Sequence, residues 1–280
     1  MANFWKENFQ NRNSNFRYVF PNKNLSINYI NGIKNNNQLE EIERYKDGST
    51  IFHGKTIHYI DYASYQSTLN ELFTQKIYSF KSAKECPTII DCGANIGLSI
   101  LFFKEIFPKA KIVGFEADPK VFSCLKKNIE GFNFNDVEII NKALWDSKTT
   151  LTFYSEGADA GRLEENSSLD KNIIEVETIC LSEYLHQKID LLKIDIEGAE
   201  YQVLLESKDL LTNVDNLFVE YHSFIDKPQH LNEILEILTN AGFRYYVSSI
   251  GVKSKHPFVN RNQYLGMDNQ LNIFAYRNLN

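Results

Sequence analysis

Two groups of residues in this 280-residue chain have the types and spacing to do chemistry. The first is Asp91-Cys92-Gly93-Ala94-Asn95-Ile96-Gly97, with Glu116 downstream. It follows a short β-branched run, Thr88 to Ile90, and precedes an amphipathic pattern from Leu98 to Phe107. That order reads as a buried strand, a glycine turn and a helix N-terminus. Glycine there lets backbone approach a ligand where a Cβ would block it. The turn lacks the Gly-Lys-Ser/Thr ending of a phosphate loop and is not the dinucleotide G-x-G-x-x-G. An acid before the first glycine can accept from a ligand ammonium, whereas it would repel a pyrophosphate. Glu116 closes a second apolar strand about twenty residues past the turn, where a carboxylate grips a ribose diol. The second group is Asp195, Glu197, Glu220 and His222. Alternation puts Lys193 and Asp195 on one face of their strand, and Glu220 and His222 on one face of theirs. Such charges between central strands are costly unless paired. They form an internal ion pair, for instance Lys193 with Glu220, or they gather at the carboxyl edge as a functional set. Carboxylates plus imidazole suit a general base, with His222 in the right titration range, or a site for Mg²⁺ or a similar ion on Asp195, Glu220 and His222.

The elements that must position these groups alternate strand and helix. Strands are expected at Thr88–Asp91, Lys111–Glu116, Val137–Asn141, Ile189–Asp195, Asn216–His222, Phe243–Ser248 and Leu271–Tyr276. Helices are expected at Leu98–Phe107, Pro119–Gly131, Gly198–Leu211 and Gln229–Ala241, with Asp118-Pro119 opening the second and Gly242 stopping the last. This alternation means an α/β fold, a mainly parallel sheet covered on both faces. Ahead of it, residues 51–87 read as a hairpin turning at Gly54 and a helix opened by a capping box, Thr68-Leu69-Asn70-Glu71. That helix carries Leu69, Leu72, Phe73, Ile77 and Phe80 on one face. Residues 1–50 are polar and Asn-rich, an expected arm. Residues 156–168 carry two glycines with small and charged residues, an expected mobile loop suited to closing over an acceptor.

Four stretches, IIDCGANIGLS, IVGFEADP, LLKIDIEGAEYQVL and LFVEYH, resemble the FkbM-type S-adenosylmethionine-dependent methyltransferases. The similarity runs from about Ile51 to the C-terminus, and the block from Asp195 to Glu200 is its most specific part. The resemblance implies a Rossmann-like class I methyltransferase domain over 88–280, a seven-stranded sheet whose last strand is antiparallel. It also implies S-adenosylmethionine as cofactor. The Gly93, Ala94, Asn95 and Gly97 turn and the following helix N-terminus would then take its carboxylate, Asp91 the ammonium, and Glu116 the ribose. Ala117 and Phe122 would wall the adenine, with Ala143 and Leu144 closing its other side. Asp195, Glu220 and His222 would face the sulfonium and serve a hydroxyl acceptor on a sugar or other small molecule.

Composition bounds the alternatives. With 43% apolar and 24% charged residues the chain is ordinary for a globular protein. A net charge of −6 argues against nucleic acid as the main partner. Cys86, Cys92, Cys124 and Cys180 lack C-x-x-C spacing and suit a reducing, cytoplasmic setting. No stretch approaches the length of a membrane span. A homo-oligomer is compatible with the sequence. A nicotinamide-dependent oxidoreductase is disfavoured by Asp91 and the missing third glycine. A non-catalytic cofactor-binding subunit is disfavoured by the intact Asp195–His222 edge.

Overall fold

The apolar runs become central strands because both of their faces can be buried by the helices that alternate with them. A computed structural model describes residues 44–154, 162–164, 173–251 and 254–277. The expected arm up to residue 43, positions 155–161 and 165–172 around the expected loop, and Lys253 lie outside the described residues.

The described chain opens with a hairpin, β1 (Gly48–Phe52) and β2 (Lys55–Tyr59). It turns at His53 and Gly54, both left-handed at φ 49° and 77°, the conformations that match strand twist in a two-residue turn. Helix α1 (Tyr62–Leu69) follows and continues as a π-helical turn, Asn70–Gln75. The capping box expected at Thr68 does not start this helix. Asp61 does, in extended conformation, its carboxylate accepting the Ser64 N–H at 2.8 Å. Leu69 and Asn70 are already helical when the Thr68 motif is reached, so its residues are interior. Leu69 and Leu72 are buried, with Phe73, Ile77 and Phe80 packed beside them.

Then come β3 (Thr88–Cys92), α2 (Leu98–Ile106), β4 (Lys111–Phe115), α3 (Pro119–Phe132) and β5 (Val137–Ile140). Four short strands intervene: β6 (Ala143–Leu144), β7 (Thr150–Tyr154), β8 (Arg162–Glu164) and β9 (Ile173–Ile179). The core resumes with β10 (Ile189–Ile194), α4 (Glu200–Ser207), β11 (Val214–Phe224), α5 (Leu231–Asn240), β12 (Arg244–Ser249) and β13 (Met267–Tyr276). The helix expected at Gly198–Leu211 is shorter than its pattern: after Ser207 it tightens into a 3₁₀ segment, Lys208–Asn213.

The main sheet has seven strands in the order β12-β13-β11-β10-β3-β4-β5, with β13 antiparallel to both neighbours and the other pairs parallel. Strand order reverses between β3 and β10, and ligands of such sheets bind beyond the carboxyl ends at that point. Ile89, Leu191 and Phe218 belong to the core on one face, together with α2 and α3. Ile90, Leu192 and Leu217 belong to the core on the other, under α4 and α5. The period-2 alternation read from the sequence therefore divides two buried faces. A second sheet, β6-β9-β7-β8, forms where no strands were expected, and one of them, β8, falls inside the segment expected to be loop. Its reason is local: Ile174, Val176 and Thr178 alternate with Glu175 and Glu177, and Phe153 and Val176 bury against Ala143.

The turns after β3 and β10 touch. Gly93 has φ 88°, and a Cβ on it would lie 1.8 Å from the carbonyl oxygen of Asp195. Gly93→Ala is expected to destabilise the fold by about 3–5 kcal/mol, because the clash is with backbone and cannot rotate away. Thermal denaturation checks this, and an unchanged Tm would mean the two turns yield easily.

Candidate active site

A cleft of about 630 Å³ opens above the switch point between β3 and β10. On one side, the turn after β3 places Gly93, Asn95 and Gly97 in left-handed conformations, φ 88°, 49° and 94°. Asparagine tolerates that region because its side chain bonds locally, and Asn95 Oδ1 accepts from the Ile96 N–H at 2.7 Å. Glu116 stands just beyond β4. Its two carboxylate oxygens accept the N–H groups of Asn95 at 3.0 Å and Asp118 at 2.9 Å. Burial pushes this carboxyl up to about 7, against the pull of those N–H groups. Of the residues singled out in the sequence, Gly93, Ala94, Asn95, Glu116, Ala117, Ala143, Leu144, Asp195 and Glu220 line the cleft.

Four others do not line it: Asp91, Gly97, Phe122 and His222. Phe122 packs against the core, and its neighbour Val121 faces the cleft in its place. Asp91 is fully buried. Its Oδ2 accepts from the Ser99 hydroxyl, and its Oδ1 lies 3.1 Å from Lys193 Nζ. The two residues are partners across the parallel β3–β10 register. The ammonium that Asp91 meets here is thus the protein's own. Lys193 also lies 3.3 Å from Asp195 and donates to the Gly93 carbonyl at 2.7 Å. Burial would discharge this lysine, but Asp91 and Asp195 hold its pKa above the usual lysine value. Its ion pair is therefore with Asp91 and Asp195, where the sequence had suggested Glu220.

The other side of the cleft carries the acidic group. After β10 the chain makes two consecutive left-handed steps, Glu197 at φ 55° and Gly198 at φ 99°. A Cβ on Gly198 would meet the Phe224 ring at 2.8 Å, so this turn is packed from below. Glu197 and Glu220 face the cleft, whereas the His222 side chain is wholly buried behind them. His222 Nδ1 sits 2.9 Å from Glu200 Oε1, while Nε2 is 3.4 Å from Glu220 and 3.5 Å from Glu197. Gln270, opposite His222 in the β11–β13 register, donates to Glu220 Oε1 at 2.6 Å, its amide nitrogen 3.3 Å from His222 Nε2. Burial works against a charged imidazole, but Glu197 and Glu200 hold its pKa well above the usual value. Burial pushes the Glu197 and Glu220 carboxyls up, and Asp195 adds repulsion to both.

Ligand atoms of Asp195, Glu220 and His222 lie within 4.8 Å of one another. The Gln270 amide already donates to Glu220 Oε1, and Glu200 holds His222 Nδ1 at 2.9 Å. The set as arranged fits a hydrogen-bonded cluster.

Residues 91–245 match the family model described as the methyltransferase FkbM domain. The chain belongs to the FkbM methyltransferase family. Its seven-stranded sheet with one antiparallel strand is the Rossmann-like sheet of a class I methyltransferase. Among its relatives, Methyltransferase 1 of Beauveria bassiana is 30% identical over 172 residues, 51% of this chain and 69% of that protein. The 2-O-methyltransferase NoeI of Sinorhizobium fredii is 27% identical over 158 residues, 49% of this chain and 64% of that one. The 31-O-demethyl-FK506 methyltransferase FkbM of Streptomyces tacrolimicus is 24% identical over 226 residues, 68% of this chain and 86% of its own. Within this FkbM chain, the D-x-E-G-A-E block supplies Asp195 and Glu197 to the cleft and Glu200 to His222. Among the described residues, no helix is long and apolar enough to cross a membrane.

Proposed function

We propose that this methyltransferase moves a methyl group from S-adenosylmethionine to a hydroxyl of a glycan or small-molecule natural product. The observation that carries the reading is a cleft with two chemically unlike ends. At one end, each Glu116 oxygen takes one N–H, which leaves acceptor capacity for the two hydroxyls of a ribose. Ala117, Val121, Ala143, Leu144 and Phe153 line the cleft with apolar surface that suits an adenine ring. The N-terminus of α2, with the Asp91-held Lys193 beside the cleft, suits the carboxylate; the N–H groups of residues 93–97 already donate within the protein. When bound, the cofactor supplies a methyl already activated by its sulfonium.

At the other end, the protein must align a hydroxyl and take its proton. Glu220 suits the proton acceptor, since it faces the cleft and its proton affinity is raised. Asp195, held by Lys193, suits a hydrogen bond that orients the acceptor hydroxyl. His222 stands behind Glu220, its Nε2 3.4 Å from the Glu220 carboxylate. Oxygen as target is favoured by the relatives whose names specify O-methylation. Two measurements test the reading: calorimetry with S-adenosylmethionine and NAD, then transfer of labelled methyl to a panel of hydroxyl-bearing sugars. Binding of S-adenosylmethionine alone and label on oxygen are expected. Binding of NAD without S-adenosylmethionine would sink it.

A further inference from the structure

The segment between β12 and β13 presents an apolar tip that the cleft does not use. Phe258 is fully exposed and Val259 is 89% exposed. Isolated exposed apolar residues are normal, but these two are adjacent and held in place. They sit in a turn closed by the His256–Asn260 bridge, with the N–H groups of Val259 and Asn260 donating to the His256 carbonyl at 2.9 and 2.8 Å. The Asn262 N–H donates to Ser254 Oγ at 2.7 Å below the turn. Lys255 and Arg261 flank the tip, both exposed. From Ile250 to Met267 the sequence holds Lys253, Lys255 and Arg261 and no acid, in a chain whose net charge is −6. Both ends of the same segment reach the cleft, through Ile250 and Gly251 on one side and Tyr264 and Leu265 on the other.

We propose that this tip docks the protein on the surface of an anionic phospholipid bilayer, with Phe258 and Val259 entering the headgroup boundary and Lys255 and Arg261 pairing with lipid phosphates. An apolar wedge flanked by cations is complementary to such a surface in both polarity and charge. The tip lies in the membrane surface. Because the segment borders the cleft, docking turns the cleft mouth toward the headgroups. The acceptor is then a hydroxyl on a membrane-held molecule, a clause that rests on the proposed methyl transfer; the docking itself does not.

Co-sedimentation of the full chain with phosphatidylglycerol–phosphatidylcholine vesicles tests this, against vesicles of phosphatidylcholine alone. The wild type is expected to bind the anionic vesicles and to release as salt rises. Phe258→Asp with Val259→Asp is expected to weaken binding at least about tenfold, and Lys255→Glu with Arg261→Glu likewise. Thermal denaturation and S-adenosylmethionine calorimetry of both variants should match the wild type. Wild type that stays in the supernatant overturns the proposal, as do variants that bind equally well. A tip variant that converts a dimer to a monomer, with no vesicle binding in either form, assigns the tip to a second copy and also overturns it. Vesicle binding without any S-adenosylmethionine binding would leave docking standing and remove the catalytic reading.

Discussion

Glu116→Ala is expected to weaken S-adenosylmethionine binding roughly 10- to 150-fold. That is the loss of about 1.5–3 kcal/mol from charged hydrogen bonds to two ribose hydroxyls. The variant should still fold, because among the described residues the Glu116 carboxylate holds two backbone N–H groups. The wild-type affinity should also depend on pH. The Glu116 carboxyl is raised from 4.5 to about 7 by burial. Folding therefore favours its protonated form, and this group's contribution to stability falls as pH rises from about 4.5 through 7. Hydroxyl donors prefer the ionised form, so binding must expel the proton below about pH 7. Affinity should climb as pH rises toward 7 and then level off, and Glu116→Gln should flatten that climb. Calorimetry in two buffers of different ionisation heat reads the released proton directly. An alanine variant with wild-type affinity would remove Glu116 from the site.

Glu220→Gln is expected to lower turnover by about 10²–10⁴ while leaving cofactor affinity close to wild type. Glutamine keeps the shape and still accepts the Gln270 amide, so the change removes proton affinity and little else. Burial first, and then Asp195, raise the proton affinity of Glu220. Wild-type turnover should accordingly rise with pH as Glu220 ionises, and the variant should lose that limb. His222→Ala should behave differently. It leaves Glu200, 1% exposed, with the Gly198 N–H but without its imidazole, and breaking a buried pair costs about 3–5 kcal/mol of stability. Initial rates of labelled methyl transfer, set beside melting curves, separate the two cases. A Glu220→Gln enzyme with full turnover would leave alignment as the whole of catalysis.

The parts of the fold that could be read from the sequence are those set by pattern. Apolar runs and helical spacing placed β3, β4, β10 and β11 to within a few residues, and alternation sorted Lys193 and Asp195 from Leu192 and Ile194. Depth is a different matter. Alternation says which face His222 occupies, but only the packing of Glu200, Glu197, Glu220 and Gln270 around it puts it behind the cleft. Gln270 lies about fifty residues from Glu220 and meets it only through the antiparallel β13, so nothing local announces it. Val121 and Phe122 are adjacent helical positions, and the choice between them turns on a helix rotation that spacing does not supply. The Thr68 capping box was a genuine local motif overridden by Asp61, which holds Arg44 and the Tyr45 N–H as well as Ser64. The strands of the small sheet could have been found, since Ile173–Ile179 alternates cleanly. Only β8 lies in the stretch that Gly157 and Gly161 made read as loop.

The contact between Gly93 and the Asp195 carbonyl has a consequence for anyone redesigning this protein. The turn after β3 and the acidic turn after β10 are interlocked at backbone level, and Asp195 N–H is tied to the Cys92 carbonyl at 3.1 Å besides. They behave as one mechanical part. A new acceptor preference cannot be installed by grafting the segment around Glu197 alone from another enzyme, because its backbone path must also seat against residue 93. The transferable module is the pair, Asp91–Gly97 with Asp195–Glu200, exchanged together. Chimeras cut between them should misfold where chimeras that carry both remain soluble.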